Sequence, residues 1–345
     1  MSEPVFLKEF TPAELELWAQ QGGQPAYRAR QLLKWLYAQN AKDFQVMTDL
    51  SKDFRGWLAE NARISLVQRQ KVLTDVDGTR KLLLRLHDGE TIESVLIDEG
   101  DRLTLCLSSQ VGCAYGCRFC LTGRDGFRRN LTAGEIVDQI CAARKELGEG
   151  ERVTNLVFMG MGEPLANLEQ VLRALEIITS DQGLNFSTRK ITLSTVGLIP
   201  EMLRLSSLFP IKLAVSLHGP DNETRSRIMP INKRYPLEEL LKACRSLELP
   251  RRNRITFEYL LLGGVNDSPQ ASQELAKLLR GLRAKINLIP FNEYPGAEFK
   301  APSPASVEEF QKILQEKHLT VTVRQSRGAG IMAACGQLSR WRSLL

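Results

Sequence analysis

The sequence predicts an α/β protein, built from repeated βα units around a mostly parallel sheet and led by a small helical unit. Two observations carry this expectation. From about Leu103, short apolar β-rich runs alternate with longer amphipathic stretches, the pattern of strands that are each followed by a helix. Before them, residues 1–62 read as helical, and two Asp-Gly hairpin signals at Asp77-Gly78 and Asp88-Gly89 separate this leader from the alternating region.

In the leader, Thr11-Pro12 followed by Glu14 suits a helix start, and Ala29, Leu32, Leu33 and Leu36 make one apolar stripe. Arg28, Arg30 and Lys34 fall between them, as in a solvated helix face or a basic face that touches nucleic acid. Residues 63–100 hold the hairpin signals, flanked by Lys81 to Leu86 and Thr91 to Ile97, and are expected to form a β-hairpin linker. Residues 101–345 then carry six predicted strands: Leu103 to Ser108, Thr154 to Met159, Lys190 to Thr195, Lys212 to Leu217, Ile255 to Leu261 and Ile286 to Pro290. Helical segments such as Ala133 to Leu147 and Leu237 to Leu247 lie between them. Six strands make a partial barrel rather than a closed eight-stranded one. Ligands of such sheets gather at the carboxyl ends of the strands, and the informative residues fall there: Cys113 to Cys120, Gly160 to Pro164, Ser194, Ser216 to His218, and Asn292. The Pro/Gly-rich loop from Tyr294 to Pro304 is expected to lie over the same ends.

Composition narrows the class. Of 345 residues, 43% are hydrophobic and 25% charged, and no apolar run is long enough to cross a bilayer. The N-terminus lacks a basic stretch followed by an apolar one, so a soluble cytoplasmic protein, without membrane contact, is expected. Seven scattered cysteines do not read as a disulfide framework, which leaves metal or thiol chemistry. The net charge is +6, and Lys317, Arg324, Arg327, Arg340 and Arg342 follow Glu316 with no acidic residue among them. Such a tail suits a polyanionic substrate as well as it suits a plain solvated terminus.

Cys113-Ala-Tyr-Gly-Cys117-Arg-Phe-Cys120 is the most specific motif. Zinc at this spacing needs a fourth ligand, and Cys106, Cys141, Cys244, Cys335 and three histidines offer no second paired motif. Three thiolates instead suit an iron-sulfur cluster one ligand short, with an iron open to a small molecule. The C-x3-C-x2-C spacing resembles that of radical S-adenosylmethionine (SAM) enzymes. That likeness implies a partial six-stranded (β/α) radical SAM barrel, a [4Fe-4S] cluster on Cys113, Cys117 and Cys120, and SAM on the open iron. Gly160-Met-Gly-Glu163-Pro164 resembles the element that holds the SAM amino group in those enzymes. The same likeness places Glu163, Pro164, Ser194, Ser216, Leu217, His218 and Asn292 at the SAM site.

The resemblance becomes narrower with Ser109-Gln-Val-Gly-Cys113, Gly126-Phe-Arg-Arg-Asn130, Met159-Gly-Met-Gly-Glu-Pro164, Pro290-Phe-Asn292 and Ala333-Ala-Cys335-Gly-Gln-Leu338. Together these resemble the RlmN/Cfr family of radical SAM RNA methyltransferases over nearly the whole chain. Pro164 after Glu163 is similar to the RlmN branch, which methylates C2 of adenine in 23S rRNA and tRNA, rather than to the C8-methylating Cfr branch. A Cfr-type adenine-C8 rRNA methyltransferase and a radical SAM enzyme acting on a small molecule are the alternatives. The resemblance implies that Cys335 carries a methyl group, that Cys106 later forms a transient disulfide with it, and that Glu93 accepts the C2 proton. It also implies two SAM molecules per turnover, one as methyl donor and one as radical source. A one-electron reductant such as flavodoxin or ferredoxin and a monomeric protein are expected with it. By alternation alone Glu93 reads as an exposed strand residue, and Cys141 and Cys244 read as packing residues in helices. Many relatives carry acidic residues where this chain has Ala329-Gly330.

Overall fold

The computed structural model describes residues 3–250 and 253–339, so Arg340 and Arg342 of the basic tail lie outside the described residues. The leader contains strand β1 (Val5–Phe6), helices α1 (Pro12–Gln21), α2 (Ala26–Leu33) and α3 (Lys52–Asn61), and strand β2 (Ala62–Arg63), which pairs parallel with β1. Helix α1 starts where the sequence predicts. Thr11 and Glu14 close a reciprocal capping box, with Pro12 at the first helical position, where its missing N–H costs nothing. The stripe Ala29, Leu32, Leu33 and Leu36 is buried, while Arg30 and Lys34 are exposed. The leader is pinned to the rest of the fold by a buried Lys8–Asp138 ion pair, whose Asp138 Oδ2 also accepts the N–H of Leu66 at 2.7 Å and of Val67 at 3.0 Å. Arg173 adds a two-pronged pair to Glu14 at 2.7 and 2.8 Å.

Strands β3 (Val67–Thr74), β4 (Arg80–Leu86) and β5 (Thr91–Asp98) form an antiparallel meander through the two Asp-Gly turns, where Gly78 and Gly89 take φ of 82° and 89°. Strand β6 (Leu103–Cys106) continues it antiparallel to β5. A small hairpin, β7 (Gln110–Gly112) with β8 (Phe127–Asn130), brackets the cysteine loop and the short helix α4 (Leu121–Arg124). There follow α5 (Ala133–Arg144), β9 (Asn155–Phe158), α6 (Leu168–Thr179), β10 (Ile191–Thr195), α7 (Ile199–Leu208), β11 (Lys212–Ser216), α8 (Asn222–Ile228) and α9 (Leu237–Ser246). The last elements are β12 (Ile255–Leu261), α10 (Pro269–Leu278), β13 (Ala284–Pro290), α11 (Pro304–Glu316) and β14 (Val321–Val323).

All the larger strands join one ten-stranded sheet in the order β14-β13-β12-β11-β10-β9-β6-β5-β4-β3. Strands β6 and β9 to β14 run parallel, the (β/α) arrangement expected. Two features differ from the sequence expectation. Strand β14 adds a seventh parallel strand to the six foreseen; at three residues on the sheet edge it is too short to show alternation. The 63–100 segment, foreseen as a linker, is hydrogen-bonded in series onto the barrel sheet through β5 and β6. Strand β12 is buried at every residue, Ile-Thr-Phe-Glu-Tyr-Leu-Leu, which singles out its one acid, Glu258.

Candidate active site

A cavity with an empty volume of about 990 Å³ opens at the carboxyl ends of the parallel strands. Cys113, Cys117, Cys120, Glu163, Pro164, Ser194, Ser216, His218 and Cys335 all line it, so the structure brings together residues that the sequence spreads from 113 to 335. Burial pushes the Cys113 thiol up to about 12 and raises Cys117 and Cys120 as well. Backbone N–H groups work against this, that of Tyr115 on Cys113 and those of Gly123 and Thr122 on Cys120. Phe119 lies edge-on against His218, with ring centroids 5.0 Å apart. His218 adopts φ 55°, accepts the Leu260 N–H on Nδ1 at 2.9 Å, and its carbonyl accepts Asn266 Nδ2 at 2.7 Å. Burial pushes its imidazole down to about 3, so it is neutral, with the proton on Nε2.

Glu163 follows β9 and is 3% exposed. Its Oε1 accepts the Leu165 N–H at 3.0 Å and its Oε2 the Val196 N–H at 2.8 Å, and burial pushes its carboxyl up to about 7. The glycines of this motif line the cavity, and their tightest approach is to the segment between β6 and β7: a Cβ on Gly160 would stand 2.7 Å from the Leu107 carbonyl, and one on Gly162, at φ 97°, 2.5 Å from Cβ of Gln110, where β7 begins. Leu217 does not line the cavity. Its side chain is buried, and its carbonyl accepts Arg225 Nε at 3.2 Å.

Asn292 lines an adjoining cavity of about 470 Å³, together with Cys106, Arg324, Arg327 and Cys335. Cys335, Arg324, Met159, Ile289 and Leu338 line both cavities and so form the wall between them. Cys106 ends β6, and burial pushes its thiol up to about 12, further raised by Cys335 and opposed by Arg324 and by the Met159 N–H. The Cys335 loop is tied over the cysteine motif: Gly336 O accepts the Leu121 N–H at 2.8 Å, and Leu338 O accepts Thr122 Oγ1 at 2.7 Å. Upstream, the N–H groups of Gly328 and Gly330 donate to Asp77 Oδ2 at 3.0 Å and Asp75 Oδ2 at 3.1 Å. Those bonds fasten the Ala329-Gly330 stretch to the β3–β4 turn.

Glu93 lies outside both cavity walls and is 1% exposed, against the exposed position that alternation favours. Strand β5 is flanked by β4 and β6 and covered on both faces, so alternation has no solvent side to report. Lys81 Nζ pairs with Glu93 Oε1 at 3.0 Å and donates to Met332 O at 3.3 Å. The Ser339 N–H donates to Glu93 Oε2 at 3.0 Å, so this carboxylate touches the loop that carries Cys335.

Residues 107–276 match the radical SAM superfamily, and residues 5–64 match the ribosomal RNA large subunit methyltransferase N-terminal domain. The dual-specificity RNA methyltransferase RlmN of Syntrophobacter fumaroxidans is 52% identical over 336 residues, covering 97% of this chain and 98% of that one. Its counterpart in Geobacter sulfurreducens is 53% identical, with 98% of this chain and 93% of that one covered. The chain belongs to the RlmN family. A radical SAM methyltransferase from Sphaerobacter thermophilus, known by crystal structure, is similar throughout: the TM-score is 0.94 at 47% identity, over 98% of this chain and 100% of that one.

The three motif cysteines of this RlmN-family chain fit a [4Fe-4S] cluster. They share one cavity wall, and Cys113 and Cys120 receive backbone N–H groups suited to cluster thiolates. Among the described residues no three His, Cys, Asp or Glu side chains converge as they would on a single metal ion, whereas on a cluster each thiolate holds a different iron. Sequence reasoning missed two members of this RlmN-family site. Arg324 was visible only as part of a basic tail, and nothing local marks it. Glu258, which lines the first cavity and accepts Asn287 Nδ2 at 2.7 Å, could have been found as the lone acid in an apolar strand.

Proposed function

We propose that this chain is a radical SAM methyltransferase that methylates C2 of adenine in 23S rRNA and tRNA, with Cys335 as methyl carrier and Cys106 as the releasing thiol. The observation that carries this reading is the position of Cys335 in the wall between two cavities. One holds the cluster cysteines and the SAM-binding loops; the other holds Cys106. A single sulfur can therefore meet SAM on one side and a second thiol on the other.

The adenine C2–H is electron-poor, so neither a polar methyl transfer nor simple base catalysis serves. Cys335 first takes a methyl group from one SAM by nucleophilic displacement. When bound, the cluster supplies the electron that splits a second SAM and so opens radical chemistry at that methyl group. Glu163, Pro164, Ser194, Ser216 and His218 hold SAM, Glu163 through its ammonium group, and Leu217 and Asn292 support the same loops from outside the first cavity. The Cys335 methyl group gives one hydrogen atom to the radical from SAM and its carbon bonds to C2; the adduct then loses the C2 proton to Glu93, with Lys81 as counter-charge, and one electron, which the cluster, when bound, would take back. Cys106 then attacks the Cys335 sulfur: the S–S bond forms, the S–C bond breaks with its electron pair going to carbon, and that carbon takes a proton to become the methyl group. A dithiol reductant returns the two thiols.

The leader, residues 1–62, contributes exposed Arg30 and Lys34 for contact with RNA phosphates. The target base is splayed out of its stack to reach the cavity. The enzyme works as a cytoplasmic monomer with flavodoxin or ferredoxin as electron donor. Among the described residues no helix is long and apolar enough to cross a membrane. Anaerobic turnover with methyl-labelled SAM on both RNAs, followed by nucleoside mass spectrometry, is expected to yield 2-methyladenosine from each. An 8-methyladenosine product would replace the C2 assignment, and product formation by Cys335→Ala at the normal rate would refute the mechanism.

A further inference from the structure

The β7–β8 hairpin closes around a loop of the first cavity. Cys113, which follows β7, lines that cavity, as do Thr122 and Gly123, which precede β8. Gln110 Oε1 accepts the Glu163 N–H at 2.9 Å and Gln110 Nε2 donates to Asn130 Oδ1 at 2.8 Å, which joins both strands to the Glu163 motif. The Cys113 N–H donates to Gly126 O at 3.1 Å, and a Cβ on Gly112 would stand 1.8 Å from that same oxygen, so the strands are pressed together there. Val111 pairs with Arg129 and Gly112 with Phe127, so β8 carries one extra residue, Arg128. Such a bulge turns side chains out of strict alternation.

Phe127 is 44% exposed and, among the described residues beyond the leader, is the only exposed aromatic. Arg128 is exposed beside it, whereas Arg129 is held by Asp88 at 2.6 Å and Glu135 at 2.7 Å. Arg124, also exposed, lies 6.0 Å from the Tyr294 ring centre and donates to Gly296 O at 3.0 Å, so the rim between the hairpin and the Pro/Gly-rich loop carries a second cation. A ring flanked in sequence by guanidiniums suits a single-stranded nucleic acid, which offers a base face to the one and phosphates to the others.

We propose that Phe127 and Arg128 form the seat for the RNA strand next to the target base: Phe127 stacks on a neighbouring base, and Arg128 meets a backbone phosphate. This rests on the RNA methyltransferase reading above and deepens it. A base extruded into the first cavity leaves its neighbours unstacked outside, and the strand that carries them passes the cavity's edge, where this hairpin stands. Because the hairpin is bonded to the Glu163 motif through Gln110, a strand seated on it is held in register with the cavity.

The test measures the affinity of anaerobically reconstituted holoenzyme for a tRNA transcript, without SAM, between about 50 and 200 mM salt. Phe127→Ala is expected to bind about tenfold more weakly, as for one lost base stack, with iron content and SAM affinity at the parent's level. Phe127→Leu, apolar but without a π-face, is expected to behave like Phe127→Ala, and Phe127→Trp to stay within about threefold of the parent. Arg128→Gln is expected to flatten the slope of log affinity against log salt by about 0.7, as for one phosphate contact fewer. Parent-level RNA affinity in Phe127→Ala or Phe127→Leu overturns the stack, as does a loss matched by lost iron, and an unchanged salt slope in Arg128→Gln overturns the phosphate contact. Unchanged RNA binding with slower cluster reduction by flavodoxin overturns the proposal in favour of a protein partner at this hairpin. The parent decides the underlying reading: its failure to methylate the transcript overturns that reading, whereas methylation by the parent beside normal binding by Phe127→Ala removes the seat alone.

Discussion

Replacing Arg225 by methionine should unseat the loops proposed to hold SAM. Arg225, in α8, is fully buried, and its guanidinium donates to Leu217 O at 3.2 Å, Asn232 Oδ1 at 2.8 Å, Tyr235 O at 3.3 Å, Val196 O at 2.9 Å and Ser216 O at 3.3 Å. Three of these acceptors, Val196, Ser216 and Leu217, lie at the ends of β10 and β11, beside Ser194, Ser216 and His218 in sequence. Burial pushes the guanidinium down from 12.5 to about 10, so holding it charged in place costs about 3 kcal/mol at about 1.4 kcal/mol per tenfold. Five charge-assisted hydrogen bonds at about 1.5 kcal/mol each outweigh that cost by about 4 kcal/mol. Arg225→Met is therefore expected to lower unfolding free energy by about 4 kcal/mol in anaerobic urea titration and to weaken SAM binding in equilibrium dialysis. Arg225→Lys should fall between, since one ammonium cannot reach carbonyls on both strands. A Met variant within about 1 kcal/mol of the parent and with unchanged SAM affinity would refute the reasoning.

Three further outcomes follow from the site. Burial pushes the Glu163 carboxyl up to about 7 from 4.5, so the folded protein keeps a proton that the unfolded chain releases. That stabilisation is present in full below pH 4.5 and is lost as pH rises through 7, by up to about 3 kcal/mol. Glu163→Gln should therefore gain stability relative to the parent between pH 5 and pH 8 while losing SAM affinity, and parallel stability curves would contradict it. Lys81→Met removes the cation beside buried Glu93 and is expected to cost about 3 kcal/mol, with Lys81→Met/Glu93→Gln recovering most of it in thermal unfolding. No recovery in the double variant would show that the ion pair is not what Lys81 contributes. Gly162→Ala must place a Cβ at φ 97° and 2.5 Å from Gln110 Cβ, so a loss of about 3 kcal/mol and weaker iron retention are expected. Parent-level iron and stability in that variant would count against the close approach.

The cysteine loop was legible because its meaning lies in local spacing, and the strands β6 and β9 to β13 because each is a short apolar run between turn signals. Thr11 and Glu14 were legible as a helix start because a capping box is closed within four residues. Glu93 was not legible as buried, because exposure depends on the strands that flank β5 rather than on its own alternation. Strand β14 escaped because three residues carry no period, and the close approach of Gly160 and Gly162 to the Leu107–Gln110 segment was not legible because that segment lies some fifty residues earlier.

By itself the sequence determined the chemistry available to this chain: a three-thiolate motif, strand-end loops that resemble those for SAM, and a family resemblance that implies roles for Cys335, Cys106 and Glu93. Only the tertiary structure decided how these groups are placed relative to one another. Ser339 meets Glu93 across 246 residues, and Lys81 meets Met332 across 251. Arg324 comes to line one cavity with Cys106 and Cys335 only when β14 closes against β13. The physical reason is that spacing and periodicity record what a residue shares with its chain neighbours. Burial, counter-charge and a cavity's second wall are set instead by whatever the folded sheet brings from elsewhere in the chain.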